Sequence, residues 1–314
     1  MQFRTEIPIP KSSHPIGYDA AVVSLGSCFA VNMAEKLAYF KFQHSVNPFG
    51  ILFHPKAIEK FIGFAVSGKE FTGTDVFFHN ERWHSFDAHS DLSDSDKETL
   101  LQNLNAMARL ANDRIAKASH IMITYGTSWV YRENTSSEIV ANCHKLPQSN
   151  FRKEILSVES IRDSIQNTVS EIRKINAKVQ IIFTVSPVRH IKDGFLENQW
   201  SKANLISAIH SATSNPPSVY FPSYEIMMDE LRDYRFYAED MIHPNQVAID
   251  YIWKRFSETW ISEAAFEVME KIETIRKGLS HRPFNPDSES HLKFLSGLQS
   301  AIARLEAEFP HLHF

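Results

Sequence analysis

The chain opens on a polar lead, Met1 to Ala20, carrying Pro8, Pro10 and Pro15, and first turns apolar at Ala20–Leu25 (AAVVSL). A short apolar run stopped by Gly26 predicts a buried strand. Phe29 to Phe40 then sets Phe29, Met33, Leu37 and Phe40 on one helical face. Strand, tight turn and helix together open an α/β unit. Phe42 to Val46 predicts the second strand, ended by Asn47-Pro48-Phe49-Gly50, and Pro55 to Val66 the second helix. Residues 71–90 are irregular and aromatic, with Phe71, Phe77, Phe78, Trp83 and Phe86. A long helix is expected from Ser95 to Ala118, on a stripe of Leu100, Leu101, Leu104, Met107, Leu110 and Ile115.

The alternation continues. His120 to Tyr125 predicts the third strand, ended by Gly126, and Trp129 to Leu146 a β excursion. Val158 to Ile175 reads as helix, Val179 to Val185 as a buried strand closed by Pro187, Gln199 to Ala212 as helix, and Val219 to Ser223 as the fifth strand. Pro244 is expected to open a long helix through Trp253, Phe256, Trp260 and Phe266 to about Lys277, since proline suits the first helical position. After a break at 281–287 (HRPFNPD), Ser288 to Glu308 forms a last amphipathic helix with Leu292, Leu295, Leu298, Ile302 and Leu305 on one face. That face must be buried, either on the long helix before it or on a second subunit, which would make a homodimer through the C-terminal helices.

Short strands alternating with helices imply a parallel sheet covered on both faces, an α/β fold. In such sheets the site lies at the carboxyl ends of the strands. The segments to watch are therefore Gly26-Ser27-Cys28, Asn47 to Gly50, Gly126-Thr127-Ser128, Ser186 to His190, and the stretch before Pro244.

Composition narrows the class without changing this picture. The 314 residues are 43% hydrophobic and 22% charged, with a net charge of -4, an ordinary globular balance. Without a basic run, no nucleic-acid partner is expected. The lead lacks the apolar core of a signal peptide, and no stretch is apolar for long enough to span a bilayer. A soluble, cytoplasmic protein is expected, with Cys28 and Cys143 as reduced thiols.

Two segments carry candidate chemistry. Gly26-Ser27-Cys28 places a hydroxyl and a thiol at a strand-to-helix turn. There the helix dipole lowers a thiol's pKa, and free N–H groups can hold an oxyanion. The plainer reading makes Ser27 a helix cap and Cys28 a core residue. Asp240-Met241-Ile242-His243-Pro244 places a carboxylate three residues before a histidine. Asp240 can then accept from Nδ1 and leave Nε2 free as a base, against the plainer reading of a surface histidine.

Read together, the segments resemble a known family. Residues 26–30 are Gly-Ser-Cys-Phe-Ala, the signature of the GSCFA family. The resemblance runs on through VNPFGILFHP (46–55), RWHSFDAHS (82–90), ITYGTSWVY (123–131), ANCHKLP (141–147), TVSPVRHIKDGF (184–195) and RFYAEDMIHPN (235–245). It implies a catalytic domain over 1–260 and a C-terminal helical extension over 261–314. That family is similar to the SGNH (GDSL-like) hydrolases, which implies a flavodoxin-like three-layer α/β/α sandwich acting on esters, often of sugars or lipids. By this resemblance Gly26-Ser27-Cys28 matches the SGNH Gly-Asp-Ser block, so Cys28 takes the nucleophile position and Ser27 stands where aspartate is usual. A cysteine there also resembles the Gly-Asn-Cys of some capsule-sugar acetyltransferases. Asp240 and His243 match the last block without departure. Gly50, near Asn47, is the candidate oxyanion glycine. Gly126-Thr127-Ser128 matches the Gly-x-Asn block with Ser128 replacing the asparagine, and Asn142 is a candidate for the missing amide.

Other polar groups complete the candidate set. His84 and His89 flank Asp87 in an aromatic loop, read either as substrate-facing or as packed; without further ligands nearby no metal is expected. Arg189 and His190 follow the fourth strand, where they can meet a substrate carboxylate, phosphate or sugar, or form a salt-bridged loop. Asn47 can instead hold its own turn, and Cys143 reads as core. The expected function is acyl transfer to or from a small-molecule or carbohydrate ester, as an esterase, deacetylase or O-acyltransferase. Cys28 or Ser27 would attack, with no cofactor. The alternative is a degenerate SGNH-like fold that binds a carbohydrate or acyl ligand without turnover.

Overall fold

The computed structural model describes residues 5–213 and 218–314. The chain runs β1 (Ala21–Gly26), α1 (Cys28–Tyr39), β2 (Gln43–Val46), α2 (Pro55–Ser67), a hairpin of β3 (Phe77–His79) and β4 (Arg82–His84), α3 (Lys97–Lys117) and β5 (His120–Tyr125). Next come β6 (Trp129–Glu133), β7 (Ile139–Val140), β8 (Phe151–Ile155), α4 (Val158–Ile175), β9 (Gln180–Val185), α5 (Phe195–Ala212) and β10 (Ser218–Phe221). A short α6 (Ser223–Glu225), α7 (Gln246–Trp260), α8 (Glu263–Ser280) and α9 (Glu289–Glu308) follow.

Five strands form one parallel sheet in the order β10-β9-β5-β1-β2. Counting only these strands along the chain, the order is 2-1-3-4-5, the flavodoxin-like winding. The direction of winding reverses between β1 and β5, and in sheets of this winding the ligand crevice lies at the carboxyl ends of such a pair. Side chains alternate between the sheet's two faces, and each face has its own core. Val23, Leu25, Ile121, Ile123, Ile181 and Phe183 pack with α2, α3, α4 and α5. Val22, Met122, Ile182 and Phe221 pack with α1, α7 and α8. These are the three layers expected from the sequence.

Three expected elements differ. Residues 77–84 form a hairpin joined by Asn80 and Glu81, both at positive φ (46° and 60°). A primed turn needs that conformation, but glycine usually announces it. The β excursion extends to β8, which pairs antiparallel with β6. The expected long helix from Pro244 is two helices. Asn245 caps the first through its side chain, accepting from Ala248 N at 3.1 Å, while Pro244 bridges Tyr237 before the helix begins. The helix stops at Trp260 because the N-terminal lead takes its backbone groups: Ile16 N donates to Trp260 O and Ser262 N donates to Ile16 O.

Helix α9 returns along α8 and buries Leu298 and Leu305, while Leu292, Phe294 and Leu295 stay exposed. Beyond it, Leu312 is fully buried in the core formed with α7 and α8. Cutting the chain after Pro286 removes these three buried leucines. At about 1.5–3 kcal/mol each, their loss should destabilise the domain by several kcal/mol and expose an apolar face on α8. Chemical denaturation and sedimentation read both effects. An unchanged unfolding midpoint with unchanged mass would show that the helix buries nothing of consequence.

Candidate active site

The crevice at the switch point is built by a glycine. Gly26 ends β1 at φ 128°, and a Cβ there would lie 2.1 Å from Thr124 O, so the two strand ends approach more closely than any side chain permits. Asn47 brackets the same glycine, accepting from Gly26 N at 2.8 Å and donating to Gly26 O at 3.1 Å. Ser27 N donates to Thr124 O, and the chain then turns into α1.

Ser27 and Cys28 part company at this point. Ser27 is 1% exposed, and its hydroxyl accepts from Phe29 N as the helix cap. Cys28 is the first residue of α1 and is partly exposed. Burial pushes its thiol pKa up. Lys202 when protonated, Phe29 N–H and its own N–H pull it back, without reversing the sign. The lowering expected at a helix N-terminus is therefore present but outweighed by desolvation. Both cysteines are free thiols, and burial raises Cys143 to about 11.

The second half of the crevice is the loop before α7. Asp240 Oδ2 lies 2.6 Å from His243 Nδ1, and Asp240 Oδ1 accepts from Ile242 N and His243 N at 2.9 and 3.0 Å. The His243 amide, the imidazole and the Ile242 amide hold this carboxyl down at about 2. The turn that aims it passes through Met241 at φ 57°, an uncommon conformation for a side chain of that size. The imidazole's Nε2 is thereby left towards solvent, with the ring 48% exposed. Among the described residues no hydrogen bond joins His243 to Cys28.

Arg189 ties the loop after β9 to this one. Its N–H donates to Ile242 O and its guanidinium to Met241 O, while Phe195, Tyr234 and Tyr237 surround the cation at 5.3–5.6 Å. A cavity of about 290 Å³ lies beside it, lined by Arg189, Asn198, Gln199, Tyr224 and Tyr237 among others. His190 is anchored by Asn198, which accepts from its backbone N–H. Its Nε2 is buried without a partner and lies 3.1 Å from where a Cβ on Gly126 would sit. Burial first, then Lys202 and His243, push its pKa down to about 3, so it is a neutral imidazole between the two halves of the site.

Lys202 is a group that the sequence pattern did not single out. It lies on the buried stripe of α5 with Asn198, Ser201, Leu205 and Ile209, is 1% exposed, and donates to Gly126 O and Ser186 O, both at 2.7 Å. Its one sequence signal is a lysine at a position where the helix otherwise turns small and apolar residues inwards.

Several candidates serve the scaffold instead. Gly50 N–H donates to Asn47 O, and Asn47's amide is spent on Gly26, so neither offers a free donor to an oxyanion. The N–H groups of Gly126 and Thr127 donate to Phe53 O. Ser128 is fully buried, with its N–H on Ser201 Oγ and its hydroxyl on Ser201 O. Asn142 belongs to the β excursion, where its carbonyl accepts from His144 N. His84 is 7% exposed, with Ser93 Oγ and His79 O on its two nitrogens, which is the packed reading of that loop. His89 faces Asp91 and rests on Gly50. Among the described residues, no group of three or more His, Cys, Asp or Glu side chains is gathered as a metal site, and no helix is long and apolar enough to cross a membrane.

A sequence profile of the GSCFA family matches residues 21–256, three quarters of the chain and every segment of the crevice. The chain belongs to the GSCFA family. A second profile, of the C-terminal domain of GSCFA domain proteins, matches residues 272–314, which span the second half of α8 and all of α9. Comparison with curated proteins gives no match.

Two other histidines of this GSCFA chain set a pH dependence of stability. His54 is 2% exposed and caps α2, with Nδ1 accepting from Ala57 N and Nε2 facing Val140 O; burial lowers it to about 4. His144 is likewise lowered to about 4. The unfolded chain, with histidine near ~6.5, takes up these protons first. Stability is therefore complete above that value and falls as pH drops towards 4, by at most about 1.4 kcal/mol per unit for each group. Urea unfolding at pH 7, 6 and 5 reads this slope. A midpoint that stays constant, or rises towards pH 5, would contradict it.

Proposed function

We propose that this protein is an acyl-transfer enzyme of SGNH-hydrolase type. Cys28 is its nucleophile, and His243, oriented by Asp240, is its base. The observation that carries the reading is the placement of a partly exposed thiol at the start of α1, at the switch point of a flavodoxin-like sheet. An Asp–His pair with a free Nε2 stands on the neighbouring loop. An ester carbonyl that reaches Cys28 meets the N–H at the helix start. The nucleophile's own amide is the donor suited to the developing oxyanion, because the glycine amides of the neighbouring turns are already bonded. Attack by sulfur gives a thioester, and water or a hydroxyl then takes the acyl group from it. The cavity beside Arg189, with its amides Asn198 and Gln199 and the rings of Tyr224 and Tyr237, suits a polar acceptor such as a carbohydrate.

The test is incubation of the purified chain with short-chain acyl esters and acyl-CoA donors, with and without sugar acceptors. Free acid or an acylated sugar should appear, together with an acyl adduct on Cys28 detected by peptide mass spectrometry. A single observation favours a second reading, a fold that binds an acyl or carbohydrate ligand without turnover: Ser128, at the position of the family-like oxyanion asparagine, is buried and bonded to α5. Tight ligand binding with no adduct and no product would select it.

A further inference from the structure

A lysine buried to 1% exposure at the carboxyl ends of the central strands has no part in an Asp–His–Cys scheme. Lys202 Nζ spans the ends of β5 and β9 by donating to Gly126 O and Ser186 O. The end of β1, which carries Cys28, is the next strand over, pinned to β5 by Ser27 N on Thr124 O. A neutral amine has two N–H donors and one lone pair, whereas an ammonium has three donors and none. Two carbonyl partners satisfy the amine's two donors and leave the third position of nitrogen open. The group whose charge acts on Lys202 is Cys28. The other titratable groups around it are the neutral His190, with His243 beyond it, and Tyr224, whose ring lies 5.6 Å from Nζ and whose hydroxyl donates to Gln199. None of these offers a carboxylate that would hold the lysine permanently charged.

We propose that Lys202 is the proton acceptor of the Cys28 thiol, so that the nucleophile is generated by a buried amine and His243 serves the attacking oxygen of the second half-reaction. The inference rests on the reading of Cys28 as nucleophile. In the first half, the Sγ proton passes to the Nζ lone pair, giving ammonium, as sulfur bonds to the acyl carbon. The carbon–oxygen bond to the alcohol breaks with its electron pair, and the departing alkoxide recovers that proton. In the second half, His243 Nε2 takes the proton of the attacking water or hydroxyl. The carbon–sulfur bond breaks, and the proton returns to the departing thiolate. The balance closes with both bases neutral. Burial lowers Lys202 to about 7 and pushes the Cys28 thiol up, so at rest the proton stays on sulfur and passes to the amine only as sulfur attacks.

The test follows Cys28 itself. Iodoacetamide alkylation of the full chain is measured against pH, with the Cys28 peptide resolved from that of Cys143 by mass spectrometry. In Lys202→Met the Cys28 profile should move up by about one pH unit or more, with at least a tenfold slower rate at pH 7. Coincident profiles would overturn the proposal. If Lys202→Met does not fold, the reciprocal measurement replaces it. The Lys202 Nζ titration, followed by NMR of labelled lysine, should shift in Cys28→Ala, because coupling between two sites is mutual; an unmoved titration overturns the pairing. The nucleophile reading fails separately, through the lack of any acyl adduct on Cys28 with every donor, whatever the alkylation profiles show.

Discussion

Cys28→Ala is expected to abolish turnover, by at least about 10³-fold, because removing a covalent nucleophile removes the pathway and not merely a contact. The protein should remain folded, since Cys28 is only partly buried and the helix it begins is capped by Ser27. Ser27→Ala is the informative partner. It deletes the hydroxyl that accepts from Phe29 N, which should cost about 1 kcal/mol of stability while leaving the thiol in place. Acyl-ester hydrolysis and a melting curve on the two variants read the contrast. Full activity in Cys28→Ala with loss in Ser27→Ala would exchange their roles and place the nucleophile one residue earlier.

The same pair of residues marks where the amino-acid pattern stops being legible. Strand, glycine and helix at residues 20–40 are plain from periodicity, because the strand is buried on both faces and the helix has a single apolar stripe. His120–Tyr125 and Val158–Ile175 are legible to the residue for the same reason. The choice between Ser27 and Cys28 is not. Both types suit a helix start, and only the direction of each side chain separates a cap from a nucleophile. The hairpin turn at Asn80-Glu81 is hidden because it uses positive φ without glycine. The division of α7 from α8 is hidden because it is imposed from the far end of the chain, by Ile16, which competes for backbone groups around Ile261. Of the candidate site, the contact between Asp240 and His243 is anticipated by their spacing, since three residues on a turn bring a carboxylate to Nδ1. The spacing alone fits a surface histidine as well, and the resemblance is what singles the pair out. The oxyanion candidates are not legible: Gly50, Gly126 and Ser128 stand at the expected strand ends, but their polar groups are spent on the turns that hold those ends together. Lys202 stays out of view because a lysine in a helix is normally solvated, and only the burial of its stripe changes that expectation.

His243→Ala should lower turnover by about 10²–10⁴-fold, the usual contribution of a general base, with the fold unchanged because the ring is half exposed. Asp240→Asn should fall in the same direction by less. It keeps a side-chain oxygen for the Ile242 and His243 amides but removes the charge that orients Nδ1 and favours the imidazolium. Where the loss appears is as telling as its size. If the imidazole serves the attacking oxygen and a buried amine serves the thiol, His243→Ala still forms the thioester on Cys28 and then stalls. A chromogenic ester would release about one equivalent of alcohol in a burst, followed by slow turnover. If the imidazole must first ionise Cys28, the burst is lost with the steady state. Stopped-flow measurement on the folded His243→Ala protein separates the two. Turnover near that of the wild type would remove His243 from the chemistry altogether and leave the Asp240 turn as a structural cap to the loop before α7.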